Sequence, residues 1–352
     1  MTRSRLVFLL AIMAFSFLAH AEETFTVGTA SAARGQKVAG TIEVPAGVDA
    51  ALSIPVVVVH GARPGPVLAL VSGAHGTEYA SIIALEKVIE RLDPAALSGT
   101  VIIIPLVNVN SFEQKIAHVN PVDHRSMNSA YPGRMDGTQT ERASYMITRQ
   151  VVERCDHLID LHGGDIDESL RPYGYWTVTG NAVQDALSKQ MVLAFGLDHI
   201  IISADRPKDP AASRYLENTA STRGKASITV EAGHAGTVET DDVEALALGC
   251  VNVMRFLKML PGTVTPVASP VWLEKVESVN SDQTGIFYPL VKRGTFVAQG
   301  MRLGYVTDYV GKTILEAHAP VAGVVTFIRA VPSMTKGETI ASIGVVAQRP
   351  PQ

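Results

Sequence analysis

"ALVSGAHGTEYASIIALEKVIERL" (residues 69–92) changes its period halfway along. It begins as a short apolar run that ends at Ser72 and Gly73, the pattern of a strand buried on both faces. From Tyr79 the apolar residues recur at helical spacing, with Ile82, Leu85, Val88, Ile89 and Leu92 on one stripe that stops at Asp93-Pro94. A strand running into a helix is one unit of an α/β fold, and His75 and Glu78 stand three apart at the joint.

The same unit recurs on both sides. "IPVVVVHG" (54–61), "GTVIIIPLVN" (99–108), "DHLIDLHGG" (156–164), "HIIIS" (199–203) and "ASITVEAG" (226–233) read as buried strands. Between and after them, "TERASYMITRQVVERC" (140–155), "NAVQDALSKQMVLAFG" (181–196) and "DDVEALALGCVNVMRFLKML" (241–260) read as helices. The expected fold is therefore α/β, with a mixed, mostly parallel sheet covered by helices on both faces, over residues 22–262. From about Pro266 the texture changes to short alternating segments separated by glycines, such as "WLEKVESVN" (272–280) and "GVVTFIRAV" (323–331). No helical stripe survives there, so residues 266–348 are expected to form a small all-β domain.

The 352 residues, 47% of them hydrophobic, are enough for two domains and a large core. A formal net charge of -4 gives no basis for a nucleic-acid partner or an electrostatic membrane contact. Arg3 and Arg5 precede an apolar run from Leu6 to Ala19, followed by Ala19-His20-Ala21. This is the layout of a signal peptide over residues 1–21, cleaved after Ala21, and the run is shorter than the ~20 residues of a spanning helix. A periplasmic or secreted protein with no stable membrane anchor is the expectation. Cys155 and Cys250 either pair or lie buried as free thiols; neither arrangement is a framework for a domain of this size.

Ligands of parallel α/β sheets bind beyond the carboxyl ends of the strands. Three polar clusters fall there: His75 with Glu78, His162 after "HLIDL", and Glu231 after "SITV". Two imidazoles and a carboxylate, with a fourth position left for water, are the ligand set of a catalytic zinc site, and a further carboxylate serves as its base. The His-x-x-Glu spacing alone has little weight, since about half a match arises by chance in such a composition. A second match, His20 to Glu23, indeed falls at the signal-peptide boundary.

In this order and spacing, "SGAHGTEYASIIALE", "SMNSAYPGRMDGTQTERASY", "HLIDLHGGD" and "ITVEAG" resemble the succinylglutamate desuccinylase and aspartoacylase family, a branch of the zinc carboxypeptidases. The resemblance covers most of residues 50–262, and "AHAPVAGVVTFI" (317–328) is similar to the family's C-terminal β domain. That domain has the barrel-sandwich shape of biotinyl and lipoyl carriers; it packs over the active-site mouth in the family, which favours small substrates. Lys312 lies near the carriers' modified turn, but its flanking residues match neither carrier signature. The resemblance implies one Zn2+ per chain held by His75, Glu78 and His162, with Glu231 as catalytic base for attack of water on an amide carbonyl. Asp160 and Asp165 are the candidates to orient the histidines.

Two arginines of the family pattern are replaced, by His118 three residues before Pro121 and by Ser129 after the retained Asn128. In the family the first helps to stabilise the oxyanion and the second grips a substrate carboxylate, a bidentate role that serine cannot fill. A protonated His118 is the candidate oxyanion donor. Arg125, Arg134, Arg142, Arg171 and Tyr173 are the candidates, beside Asn128, to contact substrate. The expected activity is removal of an acyl group from a small N-acylated amino acid or amine. The alternatives are a carboxypeptidase or amidase acting on short peptides or cell-wall fragments, and a metal-retaining binding protein with weak catalysis.

Overall fold

The computed structural model describes residues 24–349 and 351, so the expected signal peptide and its cleavage site lie outside the described residues. Among the described residues no helix is long and apolar enough to cross a membrane. A short hairpin, β1 (Thr24–Val27) and β2 (Ala30–Ala33), comes first. The following elements are β3 (Gln36–Val44), β4 (Leu52–His60), β5 (Arg63–Ser72), α1 (Tyr79–Arg91), β6 (Ser98–Ile104), α2 (Val109–Gln114), α3 (Gln139–Ile147), β7 (His157–His162) and β8 (Glu168–Thr177). Next come α4 (Ala182–Phe195), β9 (His199–Ser203), α5 (Leu216–Ser221), β10 (Ala226–His234) and α6 (Thr240–Phe256). The C-terminal part holds β11 (Val271–Asn280), β12 (Gly285–Pro289), β13 (Phe296–Val297), β14 (Arg302–Thr307), β15 (Thr313–His318), β16 (Gly323–Arg329), β17 (Ser333–Met334) and β18 (Thr339–Val346).

The main sheet has twelve strands in the order β3-β4-β6-β5-β7-β10-β8-β9-β11-β18-β16-β13. Two runs are parallel, β6-β5-β7-β10 and β8-β9-β11; the neighbours elsewhere are antiparallel. The sheet is thus mixed, and the expected parallel majority holds within the two runs but not across the whole. Successive residues of β5 and β7 face opposite sides, as strand geometry requires. Leu68, Leu70, Ile159 and Leu161 pack with α1, α4 and α6, whereas Ala69, Val71 and Leu158 pack with α3 and α5. In α1, Ala80, Ile82, Ala84, Leu85 and Val88 are buried, and each large apolar side chain there contributes roughly 1.5–3 kcal/mol. Cys250 belongs to the first core and Cys155 to the second, so the two free thiols lie on opposite faces of the sheet and do not pair.

Four of the C-terminal strands, β11, β13, β16 and β18, join the main sheet, and the other four form a sheet of their own. Strand β11 adds to β9 in parallel, β18 and β16 follow, and β16 returns to pair antiparallel with β8. The path β8-β9-β11-β18-β16-β8 therefore closes a ring that both parts of the chain supply. A four-stranded sheet, β15-β14-β12-β17, covers the outer strands over a third core containing Phe287, Leu303, Val306, Val325, Ile340 and Ile343.

Candidate active site

Register brings the chemistry together. Strands β5, β7 and β10 lie side by side with Ser72 opposite Leu161 and His162 opposite Glu231, so their carboxyl ends align. On its other side Glu231 faces Tyr173 of β8, and the pairing then shifts at a bulge before Gly233. Bulges of this kind re-aim side chains beside functional sites. Glu78 occupies the N-cap position of α1, where a carboxylate usually accepts backbone N–H groups. Its side chain makes no such bond and reaches instead to His162, with Oε2 3.0 Å from Nδ1 and also accepting from the Gly163 N–H at 3.1 Å.

His75, Glu78 and His162 are all buried, and one donor atom from each lies within 4.8 Å of the others. The far side of the His162 ring, Nε2, stands 3.3 Å from Asp160 Oδ1, an ionic contact without hydrogen-bond geometry; of the two aspartates considered, it is Asp160 that lies beside this histidine. His75 donates from Nδ1 to the carbonyl of His118 at 3.0 Å, and its Nε2 accepts from the Asn128 side-chain amide at 2.9 Å. Burial holds the His75 imidazole below its ordinary pKa and therefore neutral, as a ligand must be. Burial also opposes charge on His162, yet Glu78 and Asp160 more than reverse it and raise its pKa well above the ordinary value. A proton is thus held between His162 and Glu78, at the place where a divalent cation would find a nitrogen and a carboxylate oxygen. The buried His₂Glu set fits zinc in donor type and in spacing.

The cluster opens into a cavity of about 410 Å³ whose lining includes Asn128, Glu168, Tyr173, Tyr175 and Glu231. Desolvation there raises the Glu231 carboxyl well above the usual range; His162 opposes the shift and Glu78 and Glu168 reinforce it. Burial likewise raises the Tyr175 hydroxyl to about 12, and the ring packs edge-on against Tyr173 at 5.5 Å between centroids. Both phenols stay protonated and can donate.

His118 lines the cavity too, in a setting the spacing argument did not foresee. Its φ of +63° is left-handed, which few non-glycine residues adopt. That conformation lets its N–H donate to Asp165 Oδ2 at 3.0 Å while its carbonyl holds His75. The ring is bracketed, with Nδ1 3.2 Å from Asp165 and Nε2 2.9 Å from Asp167. The hydrogen bond to Asp167 raises its pKa to about 9, against desolvation and with help from Asp165 and Glu168. The cation is therefore present at neutrality, but both ring N–H groups are engaged, so His118 as placed positions its neighbours and has no free donor for an oxyanion. A folded-state value near 9 against an ordinary 6.5 gives stability that is complete below pH 6.5 and lost as pH rises through 9. The ring is 43% exposed, so the contribution is discounted for solvent to about 1 kcal/mol. Urea unfolding of His118→Gln should show a deficit at pH 6 that closes by pH 10; a gap independent of pH would refute the assignment.

Four of the substrate candidates are placed elsewhere. Arg125 and Arg134 are exposed and pair with Glu141 at 3.4 and 3.2 Å, where that carboxylate also accepts the Thr138 N–H at the start of α3. Arg171 pairs with Asp198 at 2.7 Å and lines a different depression with Phe296. Arg142 is buried against Asp49 at 2.6 Å, a structural pair. Asn128 and Tyr173 do line the cavity, while Ser129 is exposed. The charged lining residues that the sequence left unmarked are Glu168, Asp167 and Arg329. The first two follow His162 closely in "HGGDIDE", a signal that was readable; Arg329 arrives from β16 and had none.

Comparison with known proteins agrees with this geometry. The model of the family described as the succinylglutamate desuccinylase/aspartoacylase catalytic domain matches residues 64–257. The N-alpha-acetyl-L-2,4-diaminobutyric acid deacetylase of Halomonas elongata is 29% identical over 304 residues, 85% of this chain and 87% of that protein. Among solved structures, a succinylglutamate desuccinylase/aspartoacylase from Rhodobacter sphaeroides superposes with a TM-score of 0.79 at 24% identity, covering 89% of this chain and 96% of that one. The product-bound ectoine utilization protein EutE (DoeB) from Ruegeria pomeroyi gives the same TM-score and identity, over 88% and 95% of the two chains. At these identities the two structures speak for the fold.

Proposed function

The chain belongs to the succinylglutamate desuccinylase/aspartoacylase family, and from that premise we propose that it is an exported, zinc-dependent amide hydrolase that removes the acyl group from a small N-acylated amino acid. The observation that carries the reading is the convergence of three buried donors, His75, Glu78 and His162, on one cavity with Glu231. The deacetylase activity named for the Halomonas relative supports the substrate class.

Zinc, when bound by these three residues, supplies Lewis acidity: it acidifies a water and polarises the scissile carbonyl. The protein's own part is proton transfer and placement. Glu231 takes the proton that the attacking water gives up and delivers it to the amide nitrogen as the C–N bond breaks, which leaves a carboxylate and a free amine. A carboxyl held above its usual range by burial keeps a transferred proton more readily than an ordinary glutamate does. Tyr173, directly across from Glu231 in the strand register, offers a phenol donor to a developing oxyanion. Asp160 stands beside the His162 ring, and the His118 carbonyl fixes His75 through Nδ1. Nε2, which Asn128 meets in this structure, is then the nitrogen His75 would offer a metal in place of that contact.

One observation keeps a longer substrate open. A second depression of about 540 Å³ shares Tyr175, Ile201 and Val276 with the first and continues past Arg206 and Lys275, which leaves room for the extended leaving group of a short peptide. Export rests on the Arg3 and Arg5 flank, the apolar run and Ala19-His20-Ala21, and the mature chain should begin at Glu22 by N-terminal sequencing.

The deciding experiment pairs elemental analysis with hydrolysis of N-acetyl and N-succinyl amino acids and short peptides. One zinc per chain with turnover of an acyl amino acid is expected. Zinc with turnover of peptides only would move the assignment to a peptidase, and absence of zinc after reconstitution would overturn it.

A further inference from the structure

The cavity has a wall that the catalytic strands do not build. Val276, Thr326, Phe327, Arg329, Thr339 and Ser342 come from β11, β16 and β18 of the closed ring. The two threonines are spent within the wall: Thr326 donates to the Ser342 carbonyl at 3.1 Å and Thr339 to Asn280 Oδ1 at 3.0 Å. Arg329 is different. Its side chain is only 7% exposed, and two of its three nitrogens are fixed, with Nε donating to the Thr339 carbonyl at 3.0 Å and Nη1 to Asp167 Oδ2 at 2.7 Å. Nη1 also lies 3.6 Å from Glu338. The remaining nitrogen, Nη2, has no partner among the described residues. A guanidinium held at two points and open at the third is pre-organised for one more acceptor, and its planar fork favours a carboxylate.

The surrounding charge supports this. Asp167 lies between His118 and Arg329, so its one negative charge is shared by two cations. Asp165 answers His118 from the other side, and Glu168 sits opposite Arg329 in the β16–β8 register. Burial and the nearby Glu78 raise the Glu168 carboxyl to about 7, which weakens its competition for the guanidinium. Meanwhile Ser129 is exposed, and Arg125, Arg134 and Arg171 are tied to carboxylates outside the cavity.

We propose that Nη2 of Arg329 binds a carboxylate of the substrate, so that β16, a strand of the C-terminal part, sets the preference for acidic acyl-amino compounds. The proposal rests on the amide-hydrolase reading above. Its test needs no turnover. In the zinc-loaded Glu231→Gln protein, calorimetry compares N-acetylglycine with N-acetylglycinamide, two ligands that differ only in the carboxylate. The acid should bind at least about tenfold more tightly. Adding Arg329→Gln should bring its affinity down to that of the amide, with the amide's own affinity and the zinc content unchanged. Equal affinities in the parent, no binding of either ligand, or a preference that survives Arg329→Gln would each overturn the proposal. If Arg329→Gln fails to fold because Asp167 loses its partner, Arg329→Lys reads the same preference. Asp167 would occupy the single ammonium, and the acid should again lose its advantage; retention of the full preference refutes the role. Failure of the hydrolase reading is scored separately, by zinc content and turnover of the wild-type enzyme.

Discussion

Glu231→Gln is expected to lower kcat about 10³-fold while zinc content and melting temperature stay at wild-type values. Glutamine keeps the volume of the side chain and its place between His162 and Tyr173 in the sheet, so the packing is retained. What it loses is the capacity to accept a proton from water and pass it to the departing nitrogen, a contribution that general acid–base catalysis puts at 10²–10⁴-fold. Three readouts separate this role from a structural one: kcat, metal stoichiometry and the unfolding midpoint. Intact kcat would remove Glu231 from the mechanism, and a fall in kcat matched by loss of metal or of stability would make it a scaffold residue.

His162→Ala should act in the opposite order, losing metal first and activity as a consequence. The imidazole stands at the end of β7 between Glu78 at 3.0 Å and Asp160 at 3.3 Å, with 5% of its side chain exposed. Its removal takes away one of three donors and leaves two buried carboxylates without the group that joined them. Zinc content should fall below about a tenth of the wild-type value, with activity at background. The metal-free protein should also lose about 3 kcal/mol of stability by urea unfolding, the usual cost of breaking a buried ionic pair. Unchanged zinc content would show that the metal, if any, is held elsewhere.

The central strands were legible because each is buried on both faces and so reads as an unbroken apolar run, as in "VLALVS" and "HLIDL". The long helices were legible from their stripes, and the ligand cluster from its position at the strand ends. Strand β8 was not, because "ESLRPYGYWT" carries Pro172, Gly174 and Arg171, residues that argue against a strand by propensity. Its role is set by tertiary contact: it is held between β10 and β9 and turns Tyr173 and Tyr175 into the cavity. The six-residue helices α2 and α5 are too short to show a stripe. The arginines were misjudged for a related reason. Which carboxylate captures a flexible cation depends on packing between distant segments, and Glu141 and Asp198 captured Arg125, Arg134 and Arg171. Arg329 was beyond reach altogether, because it faces the site only through the pairing of Phe327 with Leu170, which are 157 positions apart by their numbers.

The closed path β8-β9-β11-β18-β16 also carries a consequence for when the protein becomes competent. Every metal-ligand candidate has been synthesised by His162 and the candidate base by Glu231, yet β18, which the ring needs, spans Thr339–Val346, more than a hundred residues later. A ribosome-bound chain can hold all the groups for hydrolysis and still lack the enclosure that shields them from bulk water and presents Arg329. Assembly of the enclosure waits for contacts of very high sequence separation, the slowest kind to form. Competence thus waits for β18, whose pairing with β11 and β16 converts a cluster of ligands into an enclosed site.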